Sequence, residues 1–90
     1  MTLKLRDSVS AADTDYGMAL LDEDSGQYFN LNPTAALALR TLLDGGTTAQ
    51  AAKELTEQYA VDAETASQDI EDLVGEFHAA GLVKEQTTTL

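Results

Sequence analysis

The side chains in this chain that could most readily hold a metal or move a proton are sixteen carboxylates and a single histidine, with no cysteine. One histidine without cysteine does not assemble a zinc site of the usual kind, which takes four ligands drawn mainly from His and Cys. His78 falls near the end of the last predicted helix, where positive charge interacts favourably with the helix dipole, and that is its expected role. The stretch "DEDSG" (22–26) has the acid spacing of a calcium loop, but such a loop needs Gly at its sixth position and Glu at its twelfth. Here Gly26 is fifth and Pro33 is twelfth, so the stretch reads as a turn. Nucleophilic catalysis needs a base positioned beside the nucleophile, and no serine or carboxylate pair in the sequence has such a partner. The residue types therefore point away from an enzyme, with no cofactor and no metal expected.

Sixteen acids against five bases give a net charge of −11. Phosphate binding depends on clustered Lys and Arg, whereas Lys4, Arg6, Arg40, Lys53 and Lys84 are scattered along the chain. Nucleic acid and anionic membranes are thus poor partners, and a neutral or basic partner with salt-sensitive approach is favoured. "DSV" (7–9) is similar to the Asp-Ser-Leu attachment site of acyl carrier proteins, which are also small and acidic. In carriers that serine opens a second helix, whereas Ser8 ends a predicted strand near the N-terminus, and the carrier reading is set aside. The opening "MTLKLRD" lacks the apolar core of a signal peptide, and no apolar run approaches membrane-spanning length. The absence of cysteine fits a reducing compartment, so a soluble cytoplasmic protein is expected. Ninety residues are expected to make one domain, spanning 1–90.

The elements follow from pattern. "LKLRDSV" (3–9) alternates apolar and polar and predicts a first strand, followed by a loop, "SAADTDYG". A second strand covers 16–22 and a third 27–31, joined through "EDSG". A three-residue loop with Gly26 left-handed would pair Leu21 with Phe29 and Ala19 with Leu31, while a four-residue loop shifts the faces by one. The pattern leaves both registers open. Asn32 is a good N-cap and Pro33 a good first residue for a helix over 33–43, with Ala36, Leu39, Leu42 and Leu43 on one face. "TTAQ" (47–50) is a capping-box signature for a second helix running to about Tyr59, with Ala52, Leu55 and Tyr59 inward. Asp62 caps a third helix in which Ala66, Ile70, Leu73, Val74 and Phe77 recur at helical spacing. Gly81 suits the position after its end, with Leu82 folding back, and 84–90 is expected to be a frayed tail.

Strands joined by short loops and followed by helices predict an α+β domain: a three-stranded antiparallel sheet, then three helices, with a winged helix-turn-helix character. A winged-helix DNA reader would present Arg, Lys, Asn or Gln to phosphates and base edges. The third helix instead carries Asp62, Glu64, Asp69, Glu71, Asp72 and Glu76, which would repel DNA. What remains is the third strand, which runs without a spacer into the first helix and leaves a backbone edge in search of a partner. That edge is either shielded by the N-terminal segment or used for strand addition by a peptide.

"GQYFNLNPTAALALRTLLDGGTTAQAAKELTEQYAVDAETASQDIEDLVGEFHAAGLV" (26–83) resembles the PqqD-like family, the recognition elements for precursors of ribosomally made, modified peptides. The resemblance rests on "YFNLN" (28–32), "LLDGGTT" (42–48), "DIEDLV" (69–74) and "AGLV" (80–83). "LNPTAALALRTLL" (31–43) followed by "GGTT" (45–48) is most similar to the stand-alone leader-binding proteins of lasso-peptide pathways. The resemblance implies non-catalytic binding of a precursor's leader peptide, which adds as an antiparallel strand beside the third strand and lies against the third helix. It implies a strand contact from Gln27, Tyr28, Phe29, Asn30 and Leu31, and a helix contact from Asp69, Asp72, Leu73 and Glu76. It further implies delivery to a cysteine-protease leader peptidase and an asparagine-synthetase-like cyclase. A peptide chaperone serving a radical enzyme, as in PQQ biosynthesis, and a purely structural subunit are the alternatives.

Overall fold

A computed structural model describes residues 2–86. Four strands come first: β1 (Thr2–Leu5), β2 (Val9–Thr14), β3 (Gly17–Asp22) and β4 (Gln27–Leu31). Three helices follow, α1 (Pro33–Leu43), α2 (Thr48–Tyr59) and α3 (Ala63–Ala79), and then a closing strand, β5 (Val83–Gln86). The fold is α+β, with a three-stranded antiparallel sheet ordered β2-β3-β4 ahead of the helices; β1 and β5 form a separate antiparallel ribbon.

The strands depart from the sequence expectation near both ends of the chain. The stretch 3–9 is not one strand, because the chain turns at Asp7–Ser8, with the Val9 N–H donating to the Arg6 carbonyl at 2.9 Å. Asp and Ser favour turns over a continuing strand. The segment after it, expected as a loop, is β2. Its small and polar residues have weak strand preference, and pairing along the whole of β3 supplies what they lack. The second departure concerns the tail. Gly81, at φ +73°, reverses the chain after α3, with Leu82 N–H on Phe77 O (3.0 Å) and Gly81 N–H on His78 O (3.1 Å). That Schellman-type ending buries Leu82 and aims Val83 at Leu5, so Lys84–Gln86 pairs with β1 instead of fraying. Residues 87–90 of the expected tail lie outside the described residues.

The hairpin between β3 and β4 takes the four-residue loop, pairing Asp22 with Gln27, Leu20 with Phe29 and Met18 with Leu31. Met18, Leu20, Phe29 and Leu31 thereby share the face that packs on the helices, while Leu21 and Tyr28 share the outer face. Gly26 is left-handed, at φ +74°, as the turn requires. Gly17 matters for a different reason. A Cβ there would run into the Leu31 carbonyl oxygen and come within 2.9 Å of the Asn32 carbonyl carbon, so its absence lets the β4–α1 junction close over the start of β3.

The helix caps are those the sequence specifies. The Thr47 hydroxyl accepts from Gln50 N–H at 3.0 Å while Gln50 Oε1 accepts from Thr47 N–H at 2.8 Å, a complete capping box. The core gathers Val9, Met18 and Leu20 from the sheet, Ala36, Leu39 and Leu42 from α1, Leu55 from α2, and Ile70 and Phe77 from α3. Leu43 and Leu73 lie at its margin. Tyr59, expected inward, is exposed, because it ends α2 just before the chain turns through left-handed Ala60 (φ 54°).

Candidate functional site

The site begins with backbone. Glu23 N–H, just after β3, donates to the Ser8 carbonyl at 2.8 Å. Successive residues of a strand turn their N–H and C=O to opposite sides, so Asp22, Leu20 and Met18 must face β4. Across the observed register, Gln27, Phe29 and Leu31 face back toward β3. Tyr28 and Asn30 are left with both N–H and C=O directed away from the sheet. Among the described residues no strand pairs with that edge. β4 also carries no charged residue and no proline, the features that usually blunt an edge strand.

Both ends of β4 are held firmly. At its start, the Asp22 carboxylate accepts from the Ser8 hydroxyl and from Asp24 N–H, each at 3.1 Å. Partial desolvation pushes its pKa up, but these bonds and those from Ser25 outweigh it and hold the group below the ordinary value. Ser8 is thus a brace for the turn. At its far end, Asn32 Oδ1 accepts from Ala35 N–H and from the Thr34 hydroxyl, both at 2.8 Å, and Pro33 takes the first helical position.

A groove of about 270 Å³ opens where β4 runs into α1. Asn32, Thr34 and Ala35 form its mouth, and Ala38, Leu55 and Ile70 its apolar floor. Its far wall is α3, which contributes Asp69, Asp72, Leu73 and Glu76, four residues at i, i+3, i+4 and i+7 and hence on one stripe. Asp72 accepts from the Gln68 amide at 3.0 Å, and α3 contains no Lys or Arg to neutralise the wall. α3 is positioned by its Asp62 cap, whose carboxylate accepts from Thr65 N–H (2.9 Å) and the Thr65 hydroxyl (2.8 Å). The Thr65 bonds, the backbone one first, hold the Asp62 pKa below its ordinary value. β4 and α3 both pack on α1, and neither packs extensively on the other.

The family model described as Coenzyme PQQ synthesis protein D (PqqD) matches residues 17–83. The chain belongs to the PqqD family. The match begins at β3 and ends at the start of β5, so it takes in both β4 and α3. Among solved structures, "Lasso peptide synthetase B1 complexed with the leader peptide" is 44% identical, covers 94% of this chain and 100% of that chain, and superimposes with a TM-score of 0.88. "TbiB1 in Complex with the TbiA(beta) Leader Peptide" is 24% identical, covers 94% of this chain and 99% of that one, and shares the fold with a TM-score of 0.82. Curated protein sequences give no match.

Within this PqqD-family chain, the helix residues expected from the sequence, Asp69, Asp72, Leu73 and Glu76, come together on the groove wall. The strand residues Gln27–Leu31 do not line the groove but form the open edge leading to its mouth. The mouth and floor, from Asn32 to Ala38 with Leu55 and Val61, were not anticipated as part of a site. The available signal was the run of small residues, Ala35, Ala36 and Ala38, which leaves room beside α1. His78 is exposed in the last turn of α3 and lies off the groove. Among the described residues no group of three or more His, Cys, Asp or Glu could hold a metal ion, and no helix is long and apolar enough to cross a membrane.

Proposed function

We propose that this protein binds the leader region of a ribosomally synthesised precursor peptide, of the lasso type, as an added antiparallel strand on β4 beside α3. The observation that carries the reading is the open β4 edge, with the ladder groups of Tyr28 and Asn30 unpaired at the mouth of an acidic-walled groove. The 44% identity to a protein held with a leader peptide supports it. Main-chain pairing would supply affinity and the groove would supply selection. The contact set is Gln27, Tyr28, Phe29, Asn30 and Leu31 from the strand, with Asp69, Asp72, Leu73 and Glu76 from α3.

The role is binding rather than catalysis. Holding one precursor beside its processing enzymes raises its effective concentration there, as tethering through a second site does. The enzymes served are a cysteine-protease leader peptidase and an asparagine-synthetase-like cyclase that forms the macrolactam. The acid wall favours a leader bearing Lys or Arg near its groove-facing residues.

The test is fluorescence anisotropy with labelled leader peptides from precursors encoded beside this protein's gene, at two salt concentrations. Saturable binding that weakens with salt is the expected result. Absence of binding to every such leader would return the β4 edge to a purely structural role.

A further inference from the structure

Strand addition on β4, the reading on which this inference rests, exposes the added strand on two faces, and the register says what each face meets. Residues directly opposite in an antiparallel pair share a face. An incoming residue opposite Phe29 therefore points to the groove side, because Phe29 shares the face of Leu20, which is buried against the helices. Incoming residues opposite Tyr28 and Asn30 point outward, where Tyr28 and its cross-strand neighbour Leu21 lie.

That outer face is not a uniform polar surface. Tyr28 is 61% exposed and Leu21 36% exposed, and they stand directly opposite each other in the β3–β4 pair. Tyr28 is also one of the two residues whose N–H and C=O face the open edge. The same residue thus offers both backbone hydrogen bonds and an apolar ring to whatever pairs there. The second outward row is different, running Ala12, Ala19 and Asn30 across β2, β3 and β4; Ala19 is covered by its neighbours, and beside β4 the row offers only the polar, exposed Asn30.

We propose that the leader is read on both faces of its strand. An outward apolar or aromatic residue packs on Tyr28 and extends the Leu21–Tyr28 row by one strand. The residue two positions away, opposite Asn30, is small or polar, and the residue between them enters the groove toward Leu73. Tyr28 is then a specificity-determining residue on the side of the sheet away from α3. Because the pattern has period two, a peptide shifted by one residue would present the wrong set to both faces, so the outer row also selects register.

The probe is the labelled leader peptide of the 44%-identical lasso peptide synthetase, replaced by alanine one position at a time. Each variant is titrated against wild type, Tyr28→Ser, Tyr28→Phe and Leu73→Ala. The expected result is one peptide position whose alanine variant binds wild type and Tyr28→Phe about two- to fivefold more weakly, yet binds Tyr28→Ser no more weakly than the parent peptide does. Its immediate neighbour couples to Leu73→Ala instead. Tight binding by wild type with no peptide position coupled to Tyr28, or with coupling to Tyr28 and Leu73 at the same position, overturns two-faced reading and leaves strand addition standing. No binding by wild type of the parent probe or of any leader encoded beside this protein's gene counts against strand addition and overturns this inference with it. Tyr28→Phe keeps the ring and so separates the ring from the hydroxyl, and circular dichroism of Tyr28→Ser separates a binding loss from a folding defect.

Discussion

The two edges of the β2-β3-β4 sheet differ in how they are finished. β2 places Asp13 on the helix-facing side, opposite Met18, where it forms an ion pair with Arg40 of α1. An inward-pointing charge of that kind discourages a further strand from adding. β4 has no charge, ends in a rigid cap, and leads to the mouth of the groove between α1 and α3. The same ladder therefore has one guarded edge and one open edge. The lesson is that a free strand edge becomes a candidate binding site when protection is missing there and present on its counterpart.

The severest way to break the contrast is to dislodge β4. In Gly17→Ala the new methyl meets the Leu31 carbonyl at a residue with φ +143°, so a stability loss of about 2–4 kcal/mol is expected in urea unfolding. Peptide affinity should fall with it, because the junction that carries Asn32 has to move. A result within 0.5 kcal/mol of wild type, about the scatter for a neutral surface change, would show that the junction can relax freely.

A matched pair of prolines separates the edges themselves. Asn30→Pro removes an N–H that the register turns away from β3, so no bond of the β3–β4 ladder is lost. Leader affinity should drop about tenfold or more, measured by anisotropy, with the fold retained by circular dichroism. Ala11→Pro does the same chemistry on the guarded edge, since Ala11 also faces away from β3, and it should leave affinity unchanged. Equal effects from the two variants would remove the distinction between the edges.

Charge reversal tests the groove wall. Asp69→Lys with Asp72→Lys should slow association several-fold at low salt and much less at high salt, read by stopped-flow fluorescence. Equal slowing at both salt levels would point to lost packing rather than lost steering. The smallest effect belongs to the guard. Asp13→Val should change stability by less than about 1 kcal/mol, because the ion pair with Arg40 is largely exposed. Sedimentation velocity should nonetheless show new self-association through β2, and an unchanged monomer would mean that something other than this pair protects the edge.

Local chemistry was readable wherever a residue acts on its near neighbours. Asn32, Thr47 and Asp62 each satisfy a helix start within three residues, and all three caps form as their sequence patterns require. The set Asp69, Asp72, Leu73 and Glu76, which the family resemblance implied, shares one stripe by helical spacing, and that stripe reaches the groove wall. Gly81 ends α3 by the same short-range logic. The strand YFNL and its direct passage into α1 were equally legible, since Pro33 and Asn32 leave little choice.

Tertiary structure decided what depends on distant partners. Whether "SAADT" is loop or strand is not written in its own side chains; β3 makes it a strand by pairing along its length. Lys84–Gln86 forms a strand because β1 meets it, and the Leu5–Val83 pair joins segments that lie at opposite ends of the sequence. The hairpin register was open between loops differing by one residue, and the observed one puts half-buried Phe29 and Leu31 on the same face as buried Leu20 and Met18, against the core. From that choice came which ladder groups remain free, those of Tyr28 and Asn30. Caps and periodicity are local and so belong to the sequence, whereas an edge exists only relative to a sheet, and a groove only between elements that the fold has brought side by side.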